Sequence, residues 1–391
     1  KYNKVKQAML VKIEVSSHSD AYVLFESLNN RGTPLTAIDL MKNLIMAKAE
    51  GNNLTIDDCF NRWQTLLGNL SEDYSIQERF FRQYYNAFKH RLNEPFQSDA
   101  DRKKDPLGVV ATRSNLLNIF ESLINKDLPS FLDDILQCGQ IYSWLILQDT
   151  IENPYRKALE DLDHIQGAPS YLLLMYLMRN KEELAVSEEQ INLIIRLLAK
   201  YFVRRNITDY PNTRDLTRIF MDIISKLEEA QATGGKVASI IIDILSTPTN
   251  CASDEQFRRS LEGDVYKDNV GATRYILCKL AEAAMTQETW TDLWRRTDKK
   301  VFVWTIEHIF PEGQNIPESW VNMIADGDKE LAKQYLEEYT HKIGNLTITG
   351  YNSTLGNKSF EEKRDRKSKD GQRFIGYKNG LDINREIATM D

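Results

Sequence analysis

The stretch that decides the fold reads VFVWTIEHIFPEG at residues 301–313 and HKIGNLTITGYNSTLGNKSFEEK at residues 341–363. The apolar run at residues 301–306 predicts a buried strand that carries Glu307 and His308 at its end. Residues 343–349 predict a second strand, and the polar turn after it leads into a helix. Two strands and a helix in this order predict a ββα unit in which Glu307, His308 and Asn352 meet.

The residue types of this unit suit a metal-assisted hydrolysis. His308 is the predicted general base, because histidine can take a proton from water near neutral pH. Glu307 and Asn352 are predicted to bind a hard divalent cation, Mg²⁺ or Mn²⁺, through oxygen atoms. The side-chain amide of Asn345 is predicted to orient the loop that carries His308. Taken singly, each of these residues is more often a turn or strand-end residue than a site residue, and His341 is open between a site residue and a surface or packing residue.

The site residues and their neighbours, taken together in sequence order, are a more specific signal than any one of them alone. Four features follow one another within 57 residues: EHIxP at residues 307–311, GNLT at residues 344–347, Asn352, and FxxK at residues 360–363. This set resembles the C-terminal His-Asn-His (HNH) nuclease domain of GmrSD-type, modification-dependent (type IV) restriction endonucleases. The resemblance implies a mainly α (α+β) protein, in which a helical bundle carries a ββα-metal nuclease module. It also implies an endonuclease that cuts modified phage DNA under nucleotide control, as part of an antiviral restriction system.

A second resemblance lies at residues 25–40, which read FESLNNRGTPLTAIDL. This stretch is similar to the ParB/sulfiredoxin-like N-terminal domain of the same family, which is implicated in nucleotide binding and hydrolysis. The nucleotide-binding candidates are Asn29, Arg31, Gly32 and Asp39. The alternative is a helix–turn–helix without a ligand, in which Thr36 caps a helix and Asp39 completes a capping box. The Asp-Gly-Gln-Gln-Arg segment of the family is absent, so we expect the chain to begin inside that domain and assign NTP binding or NTPase activity to the intact protein.

The rest of the chain has a helical pattern. Apolar residues recur at spacings of three and four through most of residues 55–245, which predicts amphipathic helices. The predicted helices span residues 19–28, 61–70, 76–89, 115–124, 131–148, 169–178, 188–204, 254–261, 274–285 and 383–390, with a short strand at 10–15. We predict a partial ParB-like nucleotide-binding segment at residues 1–52, a helical connector at 53–248 and an HNH-type nuclease domain at 249–391.

Charge is distributed unevenly along the chain. The net charge of −7 argues against a nucleic-acid partner, since phosphate binding needs clustered Lys and Arg. Basic residues nevertheless flank the nuclease motif on both sides. Before it lie Arg295, Arg296, Lys299 and Lys300. After it, DNA-phosphate contacts are predicted at Lys358, Lys363, Arg364, Arg366 and Lys367. Arg204 and Arg205 either pair with carboxylates of the bundle or face DNA.

Several classes are disfavoured. No apolar run approaches the roughly 18 residues of a membrane span, and no secretory segment opens the chain, so we expect a cytoplasmic protein. The four cysteines are scattered without a CxxC motif, which argues against structural zinc and a disulfide framework. The competing interpretation is a non-catalytic helical adaptor that binds DNA or protein and retains a ββα remnant. The DNA modification, the nucleotide and the oligomeric state stay open.

Overall fold

The computed structural model describes Lys12, Glu14 and residues 35–92, 106–149 and 152–390. The predicted helix at residues 19–28, nearly all of the predicted strand at 10–15, and the candidates Asn29, Arg31 and Gly32 lie outside the described residues. Within those ranges the fold is mainly helical with one two-stranded sheet, which confirms the predicted class. No helix found there has both the length and the apolar character needed to span a bilayer.

One compact unit comprises the described residues within 1–159, 169–194 and 217–241. The helices wholly within it are α1 (Ala37–Lys48), α2 (Ile56–Leu70), α3 (Tyr74–Leu92), α4 (Leu116–Lys126), α5 (Leu128–Leu145) and α7 (Tyr171–Arg179). Aromatic rings fill its core, with the Phe81 centroid 5.3 Å from that of Phe80 and 5.1 Å from that of Phe120. Edge-to-face packing of this kind adds to the stabilisation from area burial. The aromatic spacing of α3 therefore marks a core face.

Helix α1 begins as its sequence predicts. The Thr36 hydroxyl accepts a hydrogen bond from the backbone N–H of Asp39, and the Asp39 carboxylate accepts one from the Thr36 N–H at 3.2 Å. This reciprocal pair satisfies two amide donors that a helix start otherwise leaves without partners. The predicted capping box is confirmed, and the Asp39 carboxylate is used in it.

Four helices contribute residues to both units: α6 (Arg156–His164), α8 (Glu188–Thr208), α9 (Thr213–Glu229) and α10 (Gly235–Leu245). The second unit comprises residues 160–168, 195–216 and 242–391. Its own elements are α11 (Asp254–Glu262), α12 (Val265–Asp268), α13 (Val270–Ala283), β1 (Thr305–His308), α14 (Glu318–Ala325), α15 (Lys329–Tyr339), β2 (Leu346–Thr349), α16 (Asn352–Leu355), α17 (Phe360–Arg364) and α18 (Arg385–Thr389).

The two strands pair antiparallel, with Thr305 opposite Thr349 and His308 opposite Leu346. Both strands begin later than predicted. Residues 301–303 pair back on residues 295–297 instead, with the Val303 N–H donating to the Arg295 carbonyl at 2.9 Å. The 3₁₀ turn Ile343–Asn345 precedes β2, so Gly344 and Asn345 lie before the strand and not in it.

The sheet lies between two hydrophobic clusters. Ile306, Leu346 and Ile348 pack in one cluster with residues of α12 and α13. Phe310 belongs to another, with Trp320, Leu355, Phe360 and Tyr377. Because a buried side chain fixes the backbone that carries it, residues 307–309 are held from both ends. The predicted site residues therefore occupy a short, anchored segment.

Candidate active site

The end of β1 presents its two predicted site residues to different surroundings. Successive residues of a strand point to opposite faces. Glu307 is 2% exposed and faces the interior, whereas His308 is partly exposed. The two residues therefore cannot serve one solvent-filled site in the same way.

The His308 ring is held by aromatic neighbours. The Tyr266 ring meets it edge to face at a centroid distance of 4.6 Å, and the His341 ring lies 5.8 Å away. Tyr266 in turn stacks on His341 with 8° between the ring planes. His308 Nδ1 lies 3.9 Å from a Glu312 carboxylate oxygen, which is too far for a hydrogen bond. His308 Nε2 is buried and has no hydrogen-bond partner among the described residues.

These surroundings keep the His308 imidazole neutral. Burial lowers the pKa of His308, the Glu312 carboxylate opposes the shift, and His341 and Lys363 reinforce it. A neutral imidazole has a free lone pair at neutral pH, which a general base requires. The position of His308 is therefore compatible with its predicted role, although His341 belongs to the same ring cluster.

Lys363 corrects one part of the sequence prediction. Its ammonium group is 1% exposed and donates to Glu307 Oε1 at 2.7 Å, to the His308 carbonyl at 2.7 Å and to the Ile309 carbonyl at 3.2 Å. An ammonium has three protons, and all three are used. Lys363 is therefore closed to a DNA phosphate, and it instead fixes the backbone on either side of the His308 peptide.

The Glu307–Lys363 ion pair also decides whether Glu307 can bind a cation. Burial raises the pKa of Glu307 and lowers that of Lys363, and the attraction between the two opposes both shifts. A Mg²⁺ ion keeps several waters in an octahedral shell, for which a carboxylate 2% exposed and bonded to an ammonium leaves no room. Glu307 does not fit as a ligand. Asn352 fits better, because its Nδ2 donates to the Ile306 carbonyl at 2.6 Å and its Oδ1, which has no hydrogen-bond partner among the described residues, remains for a ligand.

The other acidic, histidine and cysteine side chains do not form a preformed metal-binding site in place of Glu307. Among the residues that the structure describes, no group of three or more such side chains could hold a metal ion. The four cysteines are free thiols. A cation at this site would therefore depend on water and on substrate oxygens, as Mg²⁺ commonly does.

Asn345 clamps the loop after His308. Its Oδ1 accepts from the Phe310 N–H at 2.7 Å, and its Nδ2 donates to the carbonyls of Phe310 and Thr340 at 3.0 Å each. Its own carbonyl accepts from the Ile309 N–H at 2.9 Å. The amide thus ties both sides of the sheet end together, an arrangement that suits the orienting role predicted for it.

Replacing Asn345 with alanine should lower the free energy of unfolding by about 1–3 kcal/mol, because partly buried backbone groups of Phe310 and Thr340 lose their partners. DNA cleavage should fall, while the metal concentration for half-maximal rate stays unchanged. Urea unfolding and a metal titration measure the two effects. Asn322→Ala, at an exposed position of α14, is the control; equal unfolding midpoints for the two variants would contradict the clamp.

Space for a substrate lies beside this cluster. A cavity of about 610 Å³ is lined by Glu312, Thr340 and His341, by the basic residues Lys267 and Lys333, and by the acidic residues Asp264 and Glu337. Two of its lining residues, Glu312 and His341, are neighbours of His308. The cavity is large enough for a nucleotide-sized group, since ligand sites commonly measure a few hundred Å³.

The remaining predicted phosphate contacts differ in accessibility. Arg366 and Lys367 are exposed, and Lys358 is partly exposed. Arg364 is bonded to the Asp365 carboxylate at 2.9 Å and to the Met390 carbonyl. The first three therefore remain available to DNA, and Arg364 is committed to its own neighbourhood.

Two other arginines are resolved in favour of carboxylate pairing. Arg204 contacts the Asp254 carboxylate at 2.6 Å, and Arg205 contacts that of Asp209 at 2.9 Å. The sequence did not point to Tyr266 or Glu312, because neither belongs to a motif and only the folded chain brings them to His308.

A short antiparallel sheet that ends in a neutral histidine, with the following helices bonded back to it, is an arrangement suited to a hydrolytic nuclease. The family comparison identifies this class of domain. Residues 251–391 match the family model described as GmrSD restriction endonucleases, C-terminal domain. The predicted resemblance is thus confirmed for these residues, which are similar to the C-terminal domain of GmrSD restriction endonucleases. No curated protein and no solved structure matches the chain.

Proposed function

We propose that this chain is a metal-dependent, HNH-type DNA endonuclease that hydrolyses phosphodiester bonds of modified phage DNA in the cytoplasm. The observation that carries the proposal is His308: a neutral histidine with an unpartnered ring nitrogen, within a GmrSD-family domain. Family membership supports DNA as the substrate, and a restriction system as its setting.

Each residue of the site then has one task. His308 accepts the proton of the attacking water, Tyr266 and His341 limit the rotation of its ring, and Asn345 and Lys363 hold its backbone. When bound, Mg²⁺ or Mn²⁺ supplies stabilisation of the charge on the departing oxygen. Asn352 is the side chain proposed to hold the cation, together with water and substrate oxygens, because Glu307 is committed to Lys363.

Control by a nucleotide and selection of modified DNA are the finer parts of this proposal. They rest on the similarity of residues 25–40 to the ParB-like domain, with Asn29, Arg31, Gly32 and Asp39 as the proposed contacts. Of these, the structure describes Asp39, whose carboxylate is used in the capping box. Nucleotide binding and NTPase activity are therefore proposed for the intact protein.

The test is cleavage of supercoiled plasmid and of glucosylated phage DNA by the purified chain, with Mg²⁺, with Mn²⁺ and with EDTA. We expect nicking that needs metal, together with calorimetric binding of Mn²⁺ in the absence of DNA. His308→Ala protein purified in parallel controls for contaminating nuclease. If neither DNA is cut, or if the control protein cuts equally, the proposal fails.

The buried Glu307–Lys363 pair favours one rival, a non-catalytic adaptor that retains the ββα arrangement and binds DNA or protein. It predicts DNA binding without cleavage under every metal condition. The same experiment, read with a binding assay, separates the two functions.

A further inference from the structure

Residues 295–303 form a hairpin immediately before β1. The Thr297 N–H donates to the Val301 carbonyl at 2.8 Å, and the Lys300 N–H donates back to the Thr297 carbonyl at 2.8 Å. Lys300 closes the turn with a φ of 59°. The four basic side chains of the hairpin are exposed: Arg295, Arg296, Lys299 and Lys300.

The charges of this hairpin are not neutralised within the part of the chain that the structure describes. None of the four basic side chains forms an ion pair there, and Asp298 is the only acidic residue of the hairpin sequence. Arg296 lies over the Phe302 ring at 4.1 Å and has a weak 3.4 Å contact with the Lys300 carbonyl. Exposed cations elsewhere do pair, as Lys333 does with Glu330 at 2.8 Å. The hairpin is therefore a patch of uncompensated positive charge.

A buried arginine fixes the base of the hairpin. Arg274 of α13 is 7% exposed and donates to the carbonyls of Leu293 at 2.6 Å and Trp304 at 3.1 Å, on either side of the hairpin. Its guanidinium also lies 3.6 Å from the Phe302 ring centroid and 4.5 Å from that of Trp294. A planar guanidinium can lie flat on a ring while its N–H edge bonds carbonyls, whereas an ammonium has no planar face to stack.

Arg274 also adds positive charge to the base of the hairpin that it anchors. It bonds carbonyl oxygens and no carboxylate, and its Nη1 is buried without a partner among the described residues. A cation therefore lies behind the four exposed ones. Such a field attracts a polyanion, and an anchored hairpin loses little conformational freedom when it binds one.

We propose that the hairpin at residues 295–303 is a preformed arm that contacts the phosphate backbone of duplex DNA beside the cleavage site. The inference rests on the proposed nuclease function. The hairpin runs directly into β1, and the five residue steps from Val303 to His308 span at most about 17 Å at roughly 3.3 Å per residue. That reach is comparable with the roughly 12 Å width of the major groove. The arm can therefore contact the DNA backbone on one side of a groove while the phosphodiester on the other side lies at His308.

The experiment compares two variants that remove the same number of charges. One replaces Arg295, Arg296, Lys299 and Lys300 with glutamine. The control replaces four cations that are ion-paired in the structure, Arg218, Lys226, Arg259 and Arg385, with glutamine. Fluorescence anisotropy with a labelled unmodified duplex, in EDTA and over a range of salt concentrations, measures binding without cleavage. Thermal unfolding confirms that both variants are folded.

We expect the hairpin variant to lose affinity by several-fold for each phosphate contact removed, and its slope of log K against log salt to fall by about 0.9 per contact. The control should keep the slope of the wild-type chain. An unchanged slope in the hairpin variant overturns the inference, and if wild-type chain still nicks plasmid the nuclease proposal survives. A wild-type chain that neither binds nor cuts duplex DNA overturns both.

Discussion

Replacing His308 with alanine is expected to lower the rate of DNA cleavage by about 10²–10⁴-fold, the usual loss for a missing general base. In the wild-type chain the base is active only when neutral. Because burial lowers the pKa of His308 below its ordinary value of about 6.5, the rate should fall only as the pH drops through that lowered pKa. The acid limb of the profile of kcat/KM against pH should therefore lie below about pH 6.5 and disappear in the variant.

His341→Gln is the matched control for this prediction. It removes a histidine of the same ring cluster, whose centroid lies 5.8 Å from that of His308, and should reduce the rate much less. Cleavage is measured against pH and against metal concentration for both variants. Recovery of His308→Ala by excess Mg²⁺ or Mn²⁺ would contradict the assignment, because it would make His308 a metal ligand.

Replacing Lys363 with methionine is expected to lower the free energy of unfolding by about 3–5 kcal/mol, the cost of leaving one charge of a buried pair without its partner. The Glu307 carboxylate would stay in the interior, and the carbonyls of His308 and Ile309 would lose a donor. Combining this change with Glu307→Gln removes the unpaired charge and should restore a large part of the loss. Urea unfolding of the two single variants and the double variant gives the coupling energy.

Lys333→Met serves as the comparison, because the Lys333–Glu330 pair is exposed and such pairs contribute about 0–1 kcal/mol. Equal destabilisation by Lys363→Met and Lys333→Met would contradict the stabilising role of the buried Glu307–Lys363 pair. A separate readout concerns Glu307. If Glu307→Gln raised the metal concentration for half-maximal cleavage tenfold or more, Glu307 would be a cation ligand after all.

The sequence was sufficient where structure depends on local pattern. The capping box of Thr36 and Asp39 was read from two residues, and the helices of residues 55–245 from spacings of three and four. The antiparallel pairing near Trp304 and Leu346 also followed from residue type and order. The capping box and the helices depend on interactions within the element, whereas the strand pairing joins two stretches that α14 and α15 separate.

Prediction failed where one residue type has two uses that only tertiary contacts decide. A lysine in an FxxK motif can hold a phosphate or fill an interior ion pair, and burial against Glu307 selects the second use for Lys363. The apolar residues 301–303 suit a strand, and the sequence did not show that they would pair with residues 295–297 instead of β2. Arg274 gave no signal in the sequence, because its role depends on carbonyls about 20 and 30 positions away.

The pairing of β1 with β2 means that the two halves of the candidate site come from separate stretches of chain, joined through α14 and α15. These helices pack on each other and meet at a turn in which Asp326 and Gly327 have positive φ angles of 48° and 89°. Exposed turns of this kind tolerate inserted domains. A ligand-responsive domain placed there would draw the ends of the connecting helices together or apart, and with them the two strands. The turn at Asp326 and Gly327 is thus a suitable insertion point for a domain through which an added ligand controls the candidate site.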